Sequence, residues 1–202
     1  MTSIALFGAG GKMGHRLSRN LKPSRFTVRH VEVSEAGRAR LAQDFGIHCV
    51  TPETALADAE VVILAVPDTA IGKVARSIDH LLKPATMVVA LDAAAPFAGH
   101  LPGRPDLTYF VTHPCHPPIF NDETDPGAKL ARFGGVAAKQ HIVNALMQGP
   151  EEHYALGEEV ARTIWAPVMR SHRVSVEQMA LLEPGLSETV VGALRGVVGA
   201  GM

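Results

Sequence analysis

The chain has 202 residues, of which 47% are hydrophobic and 19% are charged, and its formal net charge is −1. This length accommodates one full α/β domain with a smaller appendage, but not two ordinary domains of equal size. The 19 basic residues are balanced by 20 acidic ones and form no isolated basic block, which excludes a nucleic-acid-binding protein and indicates a soluble globular one.

The N-terminus predicts neither a signal peptide nor a membrane anchor. It has no basic segment and only five apolar residues before its first glycine. The cysteines Cys49 and Cys115 lie far apart and show neither a CxxC spacing nor a disulfide pattern. We therefore expect a cytoplasmic protein that contacts no membrane.

Short apolar runs alternate with helical patterns through the first part of the chain, as in a parallel sheet covered on both faces. The predicted strands are Ser3–Gly8, Phe26–Val33, Ile47–Val50, Val61–Val66, Thr86–Asp92 and Thr108–His113. The predicted helices include Lys12–Leu21, Glu35–Phe45 and Thr69–Leu82. Six strands with right-handed crossovers make an α/β fold of the Rossmann type, with a doubly wound parallel sheet.

The pattern changes after about Asp125. The segment "HYALGEEVARTIWA" predicts a helix, "PVMRSHRVSV" a strand or an extended link, and "VEQMALLEPGLSETVVGALRGVV" a long helix interrupted at Pro184. We therefore divide the chain into a dinucleotide-binding domain over residues 1–125 and a C-terminal α/β extension over residues 126–202. The extension leads into a helical segment that we expect to dimerise.

The strongest motif is the glycine-rich turn at the first strand-to-helix junction. Glycines tolerate unusual backbone angles and let the chain approach a pyrophosphate, which the N-terminus of the following helix attracts. The spacing is G-x-x-G-x-x-G, with Met13 in the position of the third glycine of the commoner G-x-G-x-x-G pattern. A plain tight turn is the alternative interpretation. The candidate cofactor-binding residues of this turn are Gly8, Gly10, Gly11, Lys12 and Met13, followed by Gly14.

Glu32 ends the second predicted strand, where an acidic side chain accepts hydrogen bonds from the adenosine ribose hydroxyls and repels a 2′-phosphate. Its position between Val31 and Val33 favours this role over that of a solvated loop carboxylate. The sequence therefore favours NAD, although Arg38 and Arg40 keep NADP possible.

Asp68 follows Pro67 at the end of the fourth predicted strand. Proline ends the strand and turns the chain outward at the edge of the sheet where ligands gather. Asp68 is therefore a candidate contact of the nicotinamide half of the cofactor. The alternative, of equal weight, is an N-cap for the next helix.

The stretch "THPCHPPIFNDET" places His113 and His116 where the sixth predicted strand ends. Pro114, Pro117 and Pro118 restrict the backbone, which suits a site whose groups must stay in place. The histidines are candidate metal ligands, a general acid or base, or structural groups.

H-x-x-H alone is a weak metal motif, so a further ligand is needed. The best distant candidate is Glu183, which Pro184 could present to the sheet edge; an exposed helix position is the alternative. Glu188 is a lesser candidate. Asp122 and Glu123 are expected to be loop-surface groups.

Several long segments resemble the D-apionate oxidoisomerases, relatives of phosphogluconate dehydrogenase-like proteins. They are "ALFGAGGKMG", "VEVSEAGRARL", "VVILAVPDT", "LDAAAPFAGHLP", "FVTHPCHPPIFNDE", "FGGVAAKQHIVNALMQGPEE" and "MRSHRVSVEQMALLEPGLSET". The resemblance implies an NAD-dependent enzyme of branched-sugar-acid catabolism that converts D-apionate to 3-oxo-isoapionate. Hydride would leave the C2 carbinol, and an α-ketol shift would then move a hydroxymethyl group.

The α-ketol shift supplies a reason for a divalent metal, which polarises two substrate oxygens and holds them coplanar. We expect His113 and Glu183 to be its ligands, with zinc favoured by the imidazole and magnesium or manganese the alternative. His116 is the leading candidate proton acceptor and Lys139 the second. An ordinary surface lysine is the alternative for Lys139, and Cys115 is assigned to packing.

The resemblance also implies a longer helical domain that completes the substrate pocket, often across a dimer interface. We therefore expect a homodimer formed through the apolar face of Val190–Val198. Two other functions remain open: a simple NAD(P)-dependent hydroxy-acid dehydrogenase without rearrangement, and a non-catalytic NAD-sensing protein.

Overall fold

The computed structural model describes residues 1–117, 123–130 and 137–200. Its strands are β1 (Ser3–Phe7), β2 (Thr27–Val31), β3 (Val61–Leu64), β4 (Met87–Ala90), β5 (Thr108–Pro114), β6 (Gln140–Gln148) and β7 (Val168–Arg173). Its helices are α1 (Lys12–Leu21), α2 (Glu35–Phe45), α3 (Pro52–Leu56), α4 (Asp68–Ile78), α5 (Ala94–Phe97), α6 (Pro126–Leu130), α7 (His153–Ile164), α8 (Val176–Glu183) and α9 (Val191–Ala200).

The described strands form one seven-stranded sheet in the order β2-β1-β3-β4-β5-β6-β7. Strands β1 to β5 are parallel, β6 runs antiparallel to β5, and β7 runs parallel to β6. The central strands β1, β3 and β4 are buried throughout, as expected where helices cover both faces of a parallel sheet. The predicted Rossmann-type fold is confirmed.

The core lies on both faces of the sheet because successive strand residues point in opposite directions. Ile4 and Leu6 face the layer of α1, α2 and α7, whereas Ala5 and Phe7 face α3 and α4. A third cluster packs Met179 of α8 against Ala90 of β4 and neighbouring residues of β5 and β6. That contact lays α8 across the part of the sheet where β4 and β5 end.

Five of the six predicted strands are present, but Ile47–Val50 is not a strand. Only four residues separate Gly46, the left-handed C-cap of α2, from Thr51, the N-cap of α3. The segment runs beside β2 and donates one described backbone hydrogen bond to it, from Val50 N–H to His30 O (2.9 Å). A single bond of this kind does not make a strand ladder.

The sequence did not predict β6, which pairs antiparallel with β5 over the register Pro114↔Ile142 to Tyr109↔Gln148. Its alternation of buried residues breaks in the middle of the strand, so no period of two marks it in the sequence. Because β6 is antiparallel, its amino end lies at the carboxyl edge of β1 to β5.

The predicted helix and strand that follow are confirmed as α7 and β7. The predicted interruption at Pro184 is also present, since α8 ends at Glu183 and a π-helical segment, Pro184–Val190, leads into α9. In the part of the chain that the structure describes, no helix has the length and apolar character needed to cross a bilayer. The division of the chain near residue 125 stays a prediction.

Candidate functional site

The glycine turn connects the carboxyl end of β1 to the N-terminus of α1. Gly8 has φ +72° and donates its N–H to Val31 O at 3.0 Å, which places the turn beside the end of β2. A Cβ on Gly14 would lie 2.1 Å from Gly8 O, so α1 approaches the turn more closely than any side chain permits. Gly11 is the N-cap, which directs the positive end of the α1 dipole toward this edge.

The other predicted residues of the turn lie on α1. Lys12 is exposed at its first position, and Met13 is half-buried against the core on the sheet side. The turn therefore has the form of a pyrophosphate-binding loop.

Glu32 lies directly against the glycine turn. Its Oε2 accepts the N–H of Gly10 at 2.7 Å, and its Oε1 accepts the N–H of Ser34 at 2.8 Å. A Cβ on Gly37 would come within 2.9 Å of the Glu32 side chain, so α2 packs closely around it. The carboxylate therefore occupies the edge of the turn, where the sequence places the ribose contact.

Arg38 and Arg40 flank the same place. Arg38 donates to the backbone carbonyls of Glu32 and Val33 at 3.0 Å, and Arg40 donates to the Gly10 carbonyl. Both guanidinium groups thus lie around Glu32.

A small cavity of about 150 Å³ opens at the same edge of the sheet. It is lined by Asp68, Asp92, Ala93, Ala94, Met179, Ala180, Glu183 and Pro184. The glycine turn packs against the segment that leads to this cavity, because a Cβ on Gly8 would lie 2.4 Å from the carbonyl of Ala65, three residues before Asp68. The predicted cofactor turn and the predicted metal ligands are therefore at one edge of the sheet.

Glu183 lines this cavity and lies beside His113, although 70 residues separate them in the chain. His113 Nε2 lies 4.0 Å from Glu183 Oε1, and both side chains are largely buried. His113 comes from β5, and the packing of α8 on the sheet brings Glu183 to it. The predicted pair is thus assembled by the fold.

The opposite nitrogen of His113 determines what its Nε2 can do. His113 Nδ1 lies 3.0 Å from Leu91 O, and since a carbonyl only accepts, Nδ1 carries the proton. Nε2 then presents a lone pair toward the Glu183 carboxylate, another electron-pair donor. Two such donors 4.0 Å apart suit a cation or a substrate hydroxyl between them.

Asp68 is the first residue of α4 and makes no side-chain capping bond described for that helix, whose N-cap is Pro67. The N-cap alternative is therefore wrong. Partial burial, and then the charge of Asp92, raise the pKa of Asp68 above its usual range, while His113 opposes the shift. Asp68 instead contributes a carboxylate to the cavity.

The sequence prediction did not include Asp92, which lies two residues after β4. Its Oδ2 is 3.4 Å from His113 Nδ1, and its Oδ1 accepts the N–H of Ala94 at 2.7 Å. The rule that selected Asp68, a carboxylate at the carboxyl end of a parallel strand, applies equally to Asp92.

The two candidate proton acceptors lie at the same edge of the sheet. His116 is exposed and has φ 59°, a left-handed conformation that is uncommon for a residue with a side chain. Lys139 is exposed just before β6, and its N–H donates to Glu123 Oε1 at 3.3 Å. Their catalytic roles stay predictions.

The remaining residues of the sequence prediction have different outcomes. Asp122 and Pro118, as well as the side chain of Glu188, lie outside the described residues. Cys115 donates its backbone N–H to His141 O, but the residue is exposed, which does not support the packing role assigned to it. Within the described residues, no three side chains among His, Cys, Asp and Glu form a complete metal site.

Two family models match the chain. Residues 3–93 match the NADP oxidoreductase coenzyme F420-dependent family, and residues 121–202 match the C-terminal part of phosphogluconate dehydrogenase (decarboxylating).

Curated relatives match almost the whole chain. The D-apionate oxidoisomerase of Rhizobium rhizogenes is 76% identical over 194 residues, which are 96% of this chain and 70% of the relative. That of Cupriavidus necator is 65% identical over 195 residues, which are 96% of this chain and 71% of the relative.

Two solved structures are also similar. A semialdehyde dehydrogenase NAD-binding protein from Cupriavidus necator, solved in complex with calcium and NAD, is 63% identical with a TM-score of 0.97, covering 100% of this chain and 73% of that one. An oxidoreductase from Jannaschia sp. CCS1 is 50% identical with a TM-score of 0.93, covering 98% of this chain and 72% of that one.

Proposed function

The chain belongs to the D-apionate oxidoisomerase family, and from this membership we propose that it oxidises the C2 hydroxyl of D-apionate with NAD and rearranges the product to 3-oxo-isoapionate. The observation that carries the proposal is the meeting of His113 and Glu183 at the cavity beside the glycine turn. Hydride transfer needs the substrate held against the cofactor. Carbon migration needs groups that bind two adjacent oxygens of the substrate.

NAD is the cofactor of the proposed oxidation. The turn at Gly8–Gly14 receives the pyrophosphate at the N-terminus of α1, and the Glu32 carboxylate faces the adenosine ribose. Asp68 is three residues beyond the Ala65 carbonyl that packs on Gly8, which supports its assignment as a contact of the nicotinamide half. The related Cupriavidus necator structure, which contains NAD, supports this assignment.

His113 and Glu183 would hold a divalent cation as two protein donors, with oxygens of the substrate completing its shell. Donor atoms bound to one such ion at about 2.0–2.6 Å stand at most about 5 Å apart, and His113 Nε2 and Glu183 Oε1 are separated by 4.0 Å. The free lone pair of Nε2 and the charge of Glu183 are the donors, with zinc favoured by the imidazole and magnesium or manganese the alternative. When bound, the ion would polarise the hydroxyl and ketone oxygens of the substrate.

The proton of the C2 hydroxyl goes to a base at the same edge of the sheet. His116 is the first candidate, since the prolines on both sides hold its backbone, and Lys139 is the second. Either group must come within hydrogen-bonding distance of the substrate hydroxyl.

The test of this function is an NADH-formation assay over branched and linear aldonates, with and without EDTA, and with product analysis by NMR. We expect turnover of D-apionate, a rearranged carbon skeleton and loss of activity in EDTA. Oxidation with an unchanged skeleton would show a simple hydroxy-acid dehydrogenase, and NAD binding without any turnover would show a sensor. Full activity in EDTA would show that the reaction needs no metal.

Substitutions at the cavity test whether its residues are needed for activity. His113→Ala and Glu183→Gln each remove one donor, and we expect kcat/KM for D-apionate to fall on the order of a hundredfold. His100→Ala, which changes an exposed histidine away from the cavity, is the matched control. Unchanged kcat/KM in the two cavity variants would contradict the proposed site.

A further inference from the structure

The carboxylate of Asp92 has two contacts that together orient the imidazole of His113. We infer that Asp92 is a positioning residue that holds the imidazole of His113 in the orientation needed to bind the cation. This inference rests on the proposed function of His113 and extends it to a residue outside the predicted site.

Asp92 is itself held in place. Its Oδ1 accepts the N–H of Ala94, the first residue of α5, at 2.7 Å. Both Asp92 and His113 have less than a third of their side-chain surface exposed, at 27% and 20%. A carboxylate anchored at the start of a helix loses little further freedom when it orients a neighbour.

The second oxygen of Asp92 faces the protonated nitrogen of His113. Asp92 Oδ2 lies 3.4 Å from Nδ1, the nitrogen that donates to Leu91 O at 3.0 Å. The hydrogen bond to Leu91 O excludes the tautomer in which Nδ1 carries the lone pair, and the Asp92 carboxylate lies beside the same nitrogen. Nε2 is therefore left as the electron-pair donor on the Glu183 side.

The charge of Asp92 matters more when a cation is bound than when it is absent. A cation on Nε2 withdraws electron density from the ring, so the Nδ1 proton becomes more positive and attracts the carboxylate more strongly. Carboxylate partners of metal-binding histidines act in this way, and their loss weakens metal affinity by about tenfold to a hundredfold. NAD binding at the glycine turn has no such dependence on Asp92.

Asp68 provides a matched comparison because it carries the same charge on the same cavity. It lies at the start of α4, and the contacts that place Asp92 beside Nδ1 belong to the segment that follows β4. If negative charge alone strengthened cation binding, loss of the charge at Asp68 and at Asp92 would weaken it to a similar extent. An orienting role belongs to Asp92 alone.

The test is zinc titration against a chromogenic chelator, with NAD affinity measured in parallel. Asp92→Asn keeps an oxygen for the Ala94 N–H and removes the charge, and we expect zinc affinity to fall tenfold to a hundredfold with NAD affinity within twofold of the original. Asp68→Asn should weaken zinc by less than about threefold. ¹⁵N NMR of His113 should show the Nδ1–H tautomer in both the unchanged protein and Asp92→Asn, because Leu91 O still accepts the Nδ1 proton in the variant.

The outcomes separate this inference from the function on which it rests. Zinc binding that is lost in His113→Ala but unchanged in Asp92→Asn would overturn the role of Asp92 and leave the metal site in place. Equal weakening in Asp68→Asn and Asp92→Asn would also overturn it, since that result shows a charge effect without orientation. Zinc binding unchanged in His113→Ala would contradict the metal site itself.

Discussion

The carboxylate of Glu32 is the residue on which cofactor choice depends. We expect Glu32→Ser to weaken NAD binding by tenfold or more, since a charge-assisted hydrogen bond contributes about 1.5–3 kcal/mol. NADP binding should strengthen, because Arg38 and Arg40 already lie around this position and the repulsive charge is gone. Equilibrium titration of both dinucleotides measures the change.

The control for this substitution is Glu35→Ser, which removes a charge from the first turn of α2 without touching the glycine turn. It should leave the NAD to NADP preference unchanged. An unaltered preference for NAD over NADP in Glu32→Ser would show that the adenosine ribose does not bind at Glu32.

His30 makes the stability of the fold sensitive to acid. Its side chain is buried in β2, and Nε2 has no hydrogen-bond partner in the described part of the chain. Burial lowers the pKa of His30 to about 4 from its usual 6.5. The unfolded chain therefore binds this proton first, and stability falls as the pH drops from about 6.5 to 4, by about 3 kcal/mol in total.

We expect His30→Leu to remove this dependence. Urea unfolding at pH 7 and at pH 4 should show a smaller difference in the free energy of unfolding for the variant, by up to about 3 kcal/mol. His48→Leu, at an exposed position, should keep the original difference. Identical pH dependence in all three proteins would contradict the assignment to His30.

At the level of elements, helix α1 packs against the glycine turn so closely that Gly14 has no room for a side chain. Gly14→Ala places a methyl group against Gly8 O and Ala9, both backbone, so α1 must move away from the turn. We expect a loss of about 1–3 kcal/mol in the free energy of unfolding, together with weaker NAD binding. Thermal denaturation and dinucleotide titration measure the two effects.

Gly103→Ala is the matched control, because no atom lies within 4 Å of the added methyl group. It should change neither property appreciably. A Gly14→Ala protein with unchanged NAD affinity would show that the position of α1 does not control the turn.

A second element, α8, determines where Glu183 lies. Its start is specified by a capping box, in which Ser175 and Gln178 bond each other's backbone N–H groups. Met179 then packs on β4, β5 and β6, and the helix ends at Glu183, just before Pro184. The length from cap to proline therefore sets the distance at which Glu183 meets His113.

At the scale of the whole molecule, an apolar surface extends beyond α8. Leu186, Val190, Leu194 and Val197 are each between 49% and 73% exposed and recur at three- and four-residue spacing, which places them on one helical face. We expect this face to bind a second copy of the chain. Sedimentation velocity should show a dimer that Leu194→Glu converts to a monomer.

Phe97→Glu, at an apolar side chain on α5 that is also exposed, is the control and should leave the assembly unchanged. A monomer at every concentration of the unchanged protein would contradict a dimer through this face.

Much of the site is predictable because its parts are local in sequence. Gly8, Glu32 and Asp68 follow strands, and His113 is the last residue but one of β5. The carboxyl ends of parallel strands share an edge whatever their neighbours are. Asp92 obeys the same rule and could have been identified from it. The strand β6 could not, because its pairing with β5 depends on residues about 30 positions away.

The amino-acid pattern was sufficient for the α/β class, the glycine turn, the acidic residue at β2 and the candidate pair His113 and Glu183, since periodicity, strand ends and turn residues act over short distances. It was not sufficient for the 4.0 Å separation of that pair, the contact of Asp92 with Nδ1, or the antiparallel course of β6. These depend on how α8 and β6 pack against distant strands. Packing between segments far apart in sequence leaves no periodic pattern in either segment alone.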